Sequence, residues 1–158
     1  LAATMQNQLQ PHQHALSVEI PSGVAMDGFP GALLQVLSNL ILNAVQHGLE
    51  GRTHGRIAIV AARQRRDEVL IEFSDNGQGI SEAHLKRVFE PFFTTRLGKG
   101  GTGLGLSISY NIVTSVLGGS IQVSSPPGGG VVFKMSLPLV APSQKPMAEQ
   151  PGGAEALR

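Results

Sequence analysis

The chain has 158 residues, 41% of them hydrophobic, enough apolar surface for the core of one domain. Twelve basic against eleven acidic residues leave a formal charge of +1, so the composition carries no general footprint for nucleic acid, which is not expected as a partner. The absence of cysteine excludes structural disulfides and cysteine-ligated zinc or iron–sulfur centres. No run approaches the ~20 apolar residues of a membrane helix, and no signal-peptide pattern opens the chain. A cytoplasmic domain is expected, and a longer protein carrying it can still be membrane-anchored.

In chain order, residues 1–14, LAATMQNQLQPHQH, read as the end of an upstream linker or helix interrupted at Pro11. ALSVEI (15–20) alternates as a strand. Pro30 opens a helix that runs through LLQVLSNLILNAVQHG and stops at Gly48. RIAIVAAR and EVLIEFSD, joined by QRRD, have the pattern of a hairpin. SEAHLKRVF predicts a short helix with Ser81 as its N-cap. A longer helix follows Gly103, and SIQVSS and GVVFKMSLP, joined by PPGGG, form a second hairpin. The domain is expected to span residues 15–139, with 140–158 as a disordered tail, because the sequence from Pro138 onward carries four prolines, two glycines and no apolar period. Paired strands with three or four helices predict an α+β fold, a mostly antiparallel sheet with helices on one face.

On a wheel of 3.6 residues per turn, Leu33, Leu37, Leu40, Ile41 and Ala44 share one arc, the core face. Asn39 and Asn43, four apart, stack at its edge. They are either two solvent-facing amides or a pair of neutral oxygen ligands aimed at a hard cation such as magnesium, which takes few protein ligands when phosphates supply the rest. In FSDNGQGI (73–80) the Asp-Asn-Gly is either a plain turn or a ligand loop. A helix follows it rather than a strand, and Asp75 would suit an amino group such as the exocyclic amine of adenine. Gly77 and Gly79 would let backbone approach the ring.

FEPFFTTR (89–96) holds three of the six phenylalanines in five positions, a core cluster or a hinge for the loop that follows. In GKGGTGLGLSIS (98–109), Gly98, Gly100 and Gly103 match G-x-G-x-x-G, but FFTTRL precedes them in place of a strand, and Gly100 stands where a P-loop needs Ser or Thr. The stretch is either a flexible connector or an anion-facing entry to a helix.

The order of these pieces resembles the ATP-binding domain of sensor histidine kinases, in the superfamily of gyrase, heat-shock chaperone, histidine kinase and MutL-type ATPases. NLILNA looks like the family's N box, DNGQGI its G1 box, FEPFF its F box and GTGLGLSIS its G2 box, within a resemblance that covers roughly residues 16–139. It implies a two-layer α/β sandwich with a mixed, mainly antiparallel sheet, and ATP with Mg2+ as its ligands. It implies that Asn43 holds the metal, that Asp75 reads the adenine amine, and that Gly77, Gly79 and Ile80 form the base loop. His47 would flank the nucleotide. Phe89 to Thr102 would be a mobile ATP lid, with Phe89 among the residues that bind the nucleotide. Gly101, Thr102, Gly103, Leu104, Gly105 and Leu106 would line the phosphates, with Leu104, Leu106 and Ile108 also tying the helix to the sheet. Asn39, Arg96 and Lys99 would serve the transfer itself.

Two departures bear on the chemistry. Gln46 stands where the family often has Lys or Arg, so phosphate charge would rest on magnesium, Arg96 and Lys99. Asn39 stands where the hydrolases of the superfamily carry a glutamate base, and an amide cannot take a proton from water. The resemblance therefore implies phosphoryl transfer to a nucleophile carried elsewhere. None of the five histidines (12, 14, 47, 54, 84) lies in the H-E-x-R context of a phosphoacceptor. The expected partners are an upstream dimerisation and phosphoacceptor hairpin of a homodimeric protein, and a response-regulator receiver domain. An anti-sigma-type serine kinase and a degenerate, non-catalytic binding module are the competing readings. FEPFF and GTGLGLSIS speak against the first, and Asn43, Asp75 and the G2 glycines against the second.

Overall fold

The computed structural model describes residues 5, 9–95 and 102–142. Its core is a five-stranded sheet in the order β1-β2-β3-β5-β4, built from β1 (Ala15–Glu19), β2 (Arg56–Arg65), β3 (Glu68–Asp75), β4 (Ser120–Ser124) and β5 (Val131–Pro138). β1 runs parallel to β2, and every other neighbour is antiparallel. The parallel pair needs a crossover, and α1 (Pro30–Asn43) supplies it. The sheet is thus mixed and mainly antiparallel, as the resemblance implied.

Period-two alternation decides which face is buried. Val69, Ile71 and Phe73 of β3 are buried, as are Val131, Phe133, Met135 and Leu137 of β5. They meet in rows, Ile59–Phe73–Phe133–Val123 and Ala61–Ile71–Met135–Ile121. Phe73 and Phe133 meet edge to face at 6.2 Å. The other face carries polar pairs, such as Glu72–Lys134 at 3.3 Å.

The helical layer covers the apolar face. Val36, Leu40, Ile41 and Ala44 are buried, while Leu33 and Leu37 of the expected core arc are only partly so. Val36 is turned to the sheet at an angle the five-residue arc had not included. α1 passes into a π-helical turn, Ala44–Gly48. A short helix α2 (Glu82–Leu85) follows β3. Its N-cap position is Ser81, whose side chain makes no capping bond. α3 (Gly105–Asn111) ends in a second π-helical turn, Ile112–Val116.

The packed body slightly exceeds the expected 15–139. Leu9 is buried in the core, and the Ala141 N–H donates to the Asp27 carbonyl at 2.8 Å. The hairpin β2–β3 pairs as far as Arg65 with Glu68, with an irregularity between Arg63 and Arg65, so only Arg66 and Asp67 turn the chain.

Candidate functional site

Asp75 is the last residue of β3 and keeps the parity of Val69, Ile71 and Phe73. The alternation that buries those three therefore turns the carboxylate beneath the helical layer, into a cavity of about 450 Å³. Its Oδ1 accepts the Gly77 N–H at 2.7 Å. Burial raises the Asp75 carboxyl above its ordinary range, while hydrogen bonds from the Gly77 and Val131 backbone and the charge of Arg52 pull the other way. Arg52 Nη1 donates to the Asn76 carbonyl at 3.0 Å, and Asn76 Oδ1 accepts the Arg56 N–H at 2.7 Å, which fixes the start of the loop.

α1 forms the opposite wall. Asn39, Asn43 and His47 all line the cavity, one turn apart. Asn39 Nδ2 donates to the Gly105 carbonyl and to Ser109 Oγ, both at 3.2 Å. Ser109 is fully buried, and its Oγ donates to the Gly105 carbonyl at 2.9 Å. Asn39 thus ties α1 to the first turn of α3. Asn43 lies beside the same turn, where a Cβ on Gly105 would stand 3.8 Å from its Nδ2.

The π-helical turn carries Gly48 against Asp75. The Gly48 carbonyl accepts the Gln78 N–H at 2.8 Å, and Gln78 Nε2 donates to the His47 carbonyl at 2.8 Å. Gly77 is buried against Gly48, and a Cβ there would overlap the Gly48 carbonyl. Gly77 therefore buttresses Asp75 rather than lining the cavity, whereas Gly79 and Ile80 do line it.

The three clustered phenylalanines go to different places. Phe89 lies off the cavity wall, its ring against Tyr110 at 5.3 Å and Phe133 at 6.4 Å, so it anchors the segment instead of facing a ligand. Phe93 lines the cavity, edge-on to His84 at 5.5 Å and under the Arg87 guanidinium at 4.6 Å. Phe92 is 71% exposed and holds a positive φ of 64°. Its N–H donates to the Gly103 carbonyl at 2.9 Å. Gly103 has φ +67°, and a Cβ there would sit 2.5 Å from the Phe92 carbonyl carbon, so only glycine fits.

Thr102, Gly103, Gly105 and Leu106 border the cavity, and Leu104 does not. The Leu104 carbonyl is taken up by the first turn of α3, accepting the Ile108 N–H at 2.9 Å and Ser107 Oγ at 3.0 Å. Ile108, expected to tie this helix to the sheet, is 39% exposed instead, because at its angle α3 faces away from the core. Arg96, Lys99 and Gly101 lie outside the described residues, as does the tail from residue 143.

Sequence reasoning passed over His84, Phe93 and Gln78 as wall residues, and over Gly48 as more than a helix stop. For Gly48 the signal was present, since its glycine stands one turn beyond Asn43. For His84 and Phe93 none was, because their pairing arises from the chain reversal after α2. Among the described wall residues the ionisable side chains are Asp75, His47 and His84, with no Lys or Arg.

The comparisons with known proteins agree with this geometry. The model of the "Histidine kinase-, DNA gyrase B-, and HSP90-like ATPase" family matches residues 28–141. The chain belongs to that family. Among curated proteins it is 44% identical over 115 residues to the sensor histidine kinase ZraS of Salmonella typhimurium, covering 73% of this chain and 23% of that protein. It is 41% identical over 110 residues to sporulation kinase E of Bacillus subtilis, covering 70% of this chain and 14% of that protein. It therefore spans less than a quarter of the length of these relatives. Among solved structures, the catalytic domain of histidine kinase ThkA superposes with a TM-score of 0.75 at 27% identity, over 88% of this chain and 89% of that one. ThkA in complex with the response regulator protein TrrA superposes with a TM-score of 0.69 at 25% identity, over 87% of this chain and 37% of that one. Among the described residues, no helix is long and apolar enough to cross a membrane.

Proposed function

We propose that the chain is the Mg–ATP-binding catalytic domain of a sensor histidine kinase. It presents the γ-phosphate to a histidine on a separate dimerisation hairpin, for onward transfer to a response-regulator aspartate. The observation that carries this reading is the meeting of Asn39, Asn43 and Asp75 in one cavity, from elements more than thirty positions apart.

The wall fits the ligand. Asp75, half-buried and facing inward, accepts a hydrogen bond from the adenine amine, with Gly79 and Ile80 along the base and His47 at the α1 side. Some two turns from this end of α1 lie Asn39 and the start of α3, where the polyphosphate belongs. The donor set suits magnesium. Asn43 offers a neutral amide oxygen that would hold the ion, which takes few protein ligands where phosphates supply the rest. When bound, the ion neutralises charge on the transferring phosphoryl group. The chain's own residues orient the nucleotide, and Asn39, an amide in place of a carboxylate, cannot take a proton from water.

The acceptor hairpin, the homodimer and the receiver partner belong to the same proposal. The names of the relatives and the ThkA complex support it. Labelled ATP and Mg2+ supplied with this chain and a separate histidine hairpin should label the hairpin. ATP binding without any transfer to cognate hairpins would reject the kinase reading, and label on a histidine of this chain would reject the division between domains.

A further inference from the structure

The base loop, residues 76–80, has no regular structure of its own, yet it must hold Gly79 and Ile80 at a fixed height along the cavity. Two of its backbone groups are held by a turn remote in sequence, the connection between β4 and β5. The Gly130 N–H donates to the Gly77 carbonyl at 2.7 Å. Ser125 Oγ accepts the Ile80 N–H at 3.0 Å and donates to the Gly130 carbonyl at 2.7 Å. One hydroxyl thus uses both its donor and an acceptor position, and links Ile80 to the strand entry beside Asp75. The fit is close, since a Cβ on Gly79 would stand 2.6 Å from Ser125 Oγ. Ser125 itself is half-buried and does not line the cavity.

We propose that Ser125 is a positioning residue for nucleotide binding. It latches the base loop to the β4–β5 turn, so that the loop is set before ATP arrives. This rests on the ATP-binding reading above. Without the hydroxyl, the Ile80 N–H and the Gly130 carbonyl lose their shared partner, and the loop is ordered only at the expense of ligand affinity. The effect is expected at the base end, because the groups that Ser125 joins belong to the base loop and the turn.

The test compares wild type, Ser125→Ala and Ser125→Thr by calorimetry with ATP, with and without Mg2+, and by label transfer to a supplied hairpin. Ser125→Ala should weaken ATP binding by about tenfold, roughly the loss of one buried hydrogen bond. It should leave the Mg2+-dependent ratio of affinities and the transfer rate at saturating ATP within about twofold of wild type, and Ser125→Thr should restore most of the affinity. Hydrogen exchange of the Ile80 amide in the nucleotide-free wild type gives a second reading that needs no variant, and protection is expected. Wild type binding ATP with an unprotected Ile80 amide, or with Ser125→Ala unchanged in affinity, would overturn the latch alone. A folded wild type that bound no ATP would overturn the function reading and the latch with it.

Discussion

Asp75 shows how one side chain sets stability against binding. Burial favours its protonated form in the native state, so the native carboxyl holds its proton more tightly than the unfolded one. The resulting cost to the fold is absent below the ordinary carboxylate range and is felt in full once pH rises past the raised native value. Asp75→Asn should therefore be at least as stable as wild type at pH 7, an advantage that shrinks towards pH ~4. The same variant should lose ATP affinity by about 100-fold, the size of a charge-assisted hydrogen bond. Urea unfolding at the two pH values and calorimetry check the pair of outcomes, and a destabilised Asp75→Asn at neutral pH would contradict the assigned burial cost. Asn43→Ala should remove the difference between ATP affinities measured with Mg2+ and with chelator, with little change in melting temperature. The parity that turns Asp75 inward was legible in EVLIEFSD. The Gly77 contact with Gly48 was not, because it depends on a π-helical turn that no residue pattern announces.

Among the elements, α3 is held chiefly by a partner helix. It spans seven residues, too few to be stable alone. Asn39 fastens its first turn through Gly105 and Ser109. Asn39→Ala should cost about 1 kcal/mol of stability, from a lost donor to a carbonyl and a hydroxyl that retain each other. Chemical denaturation would measure it, and a change near zero would mean that the pair carries no net energy. The segment before α3 is pinned where Phe92 meets Gly103, each with positive φ. Gly103→Ala sets a methyl against backbone and strains that φ, for a local cost of about 1–3 kcal/mol. Faster hydrogen exchange at the Phe92 amide and weaker ATP binding are the expected signs. The FEPFF cluster looked like a single feature in one dimension, either core or hinge. It divides because 89, 92 and 93 project in different directions once the chain reverses after α2.

For the whole molecule, ligand binding and folding are coupled by mass action. ATP at 100 times its dissociation constant should add about 2.7 kcal/mol, which for a body of this size is a rise of roughly 10 °C in melting temperature. That rise should be smaller with a chelator present. The two hairpins and the α+β class could be read from alternation and turn residues, because a strand's period of two and a helix's of 3.6 are local properties of the chain, whereas the parallel β1–β2 pair and the β3–β5 pair join segments distant in sequence and were decided by packing. The family, too, was legible in NLILNA, DNGQGI, FEPFF and GTGLGLSIS, since close backbone approach and side-chain amides that tie one element to another restrict which residues can stand there. Which of those residues face the cavity depended on packing. Gly77, Phe89 and Leu104 belong to the motifs, but their places are set by Gly48, by Tyr110 with Phe133, and by the first turn of α3. His84, Phe93 and Ser125 carry no such motif signal, and reach the site or its support only because distant turns are brought together over one buried face of the sheet.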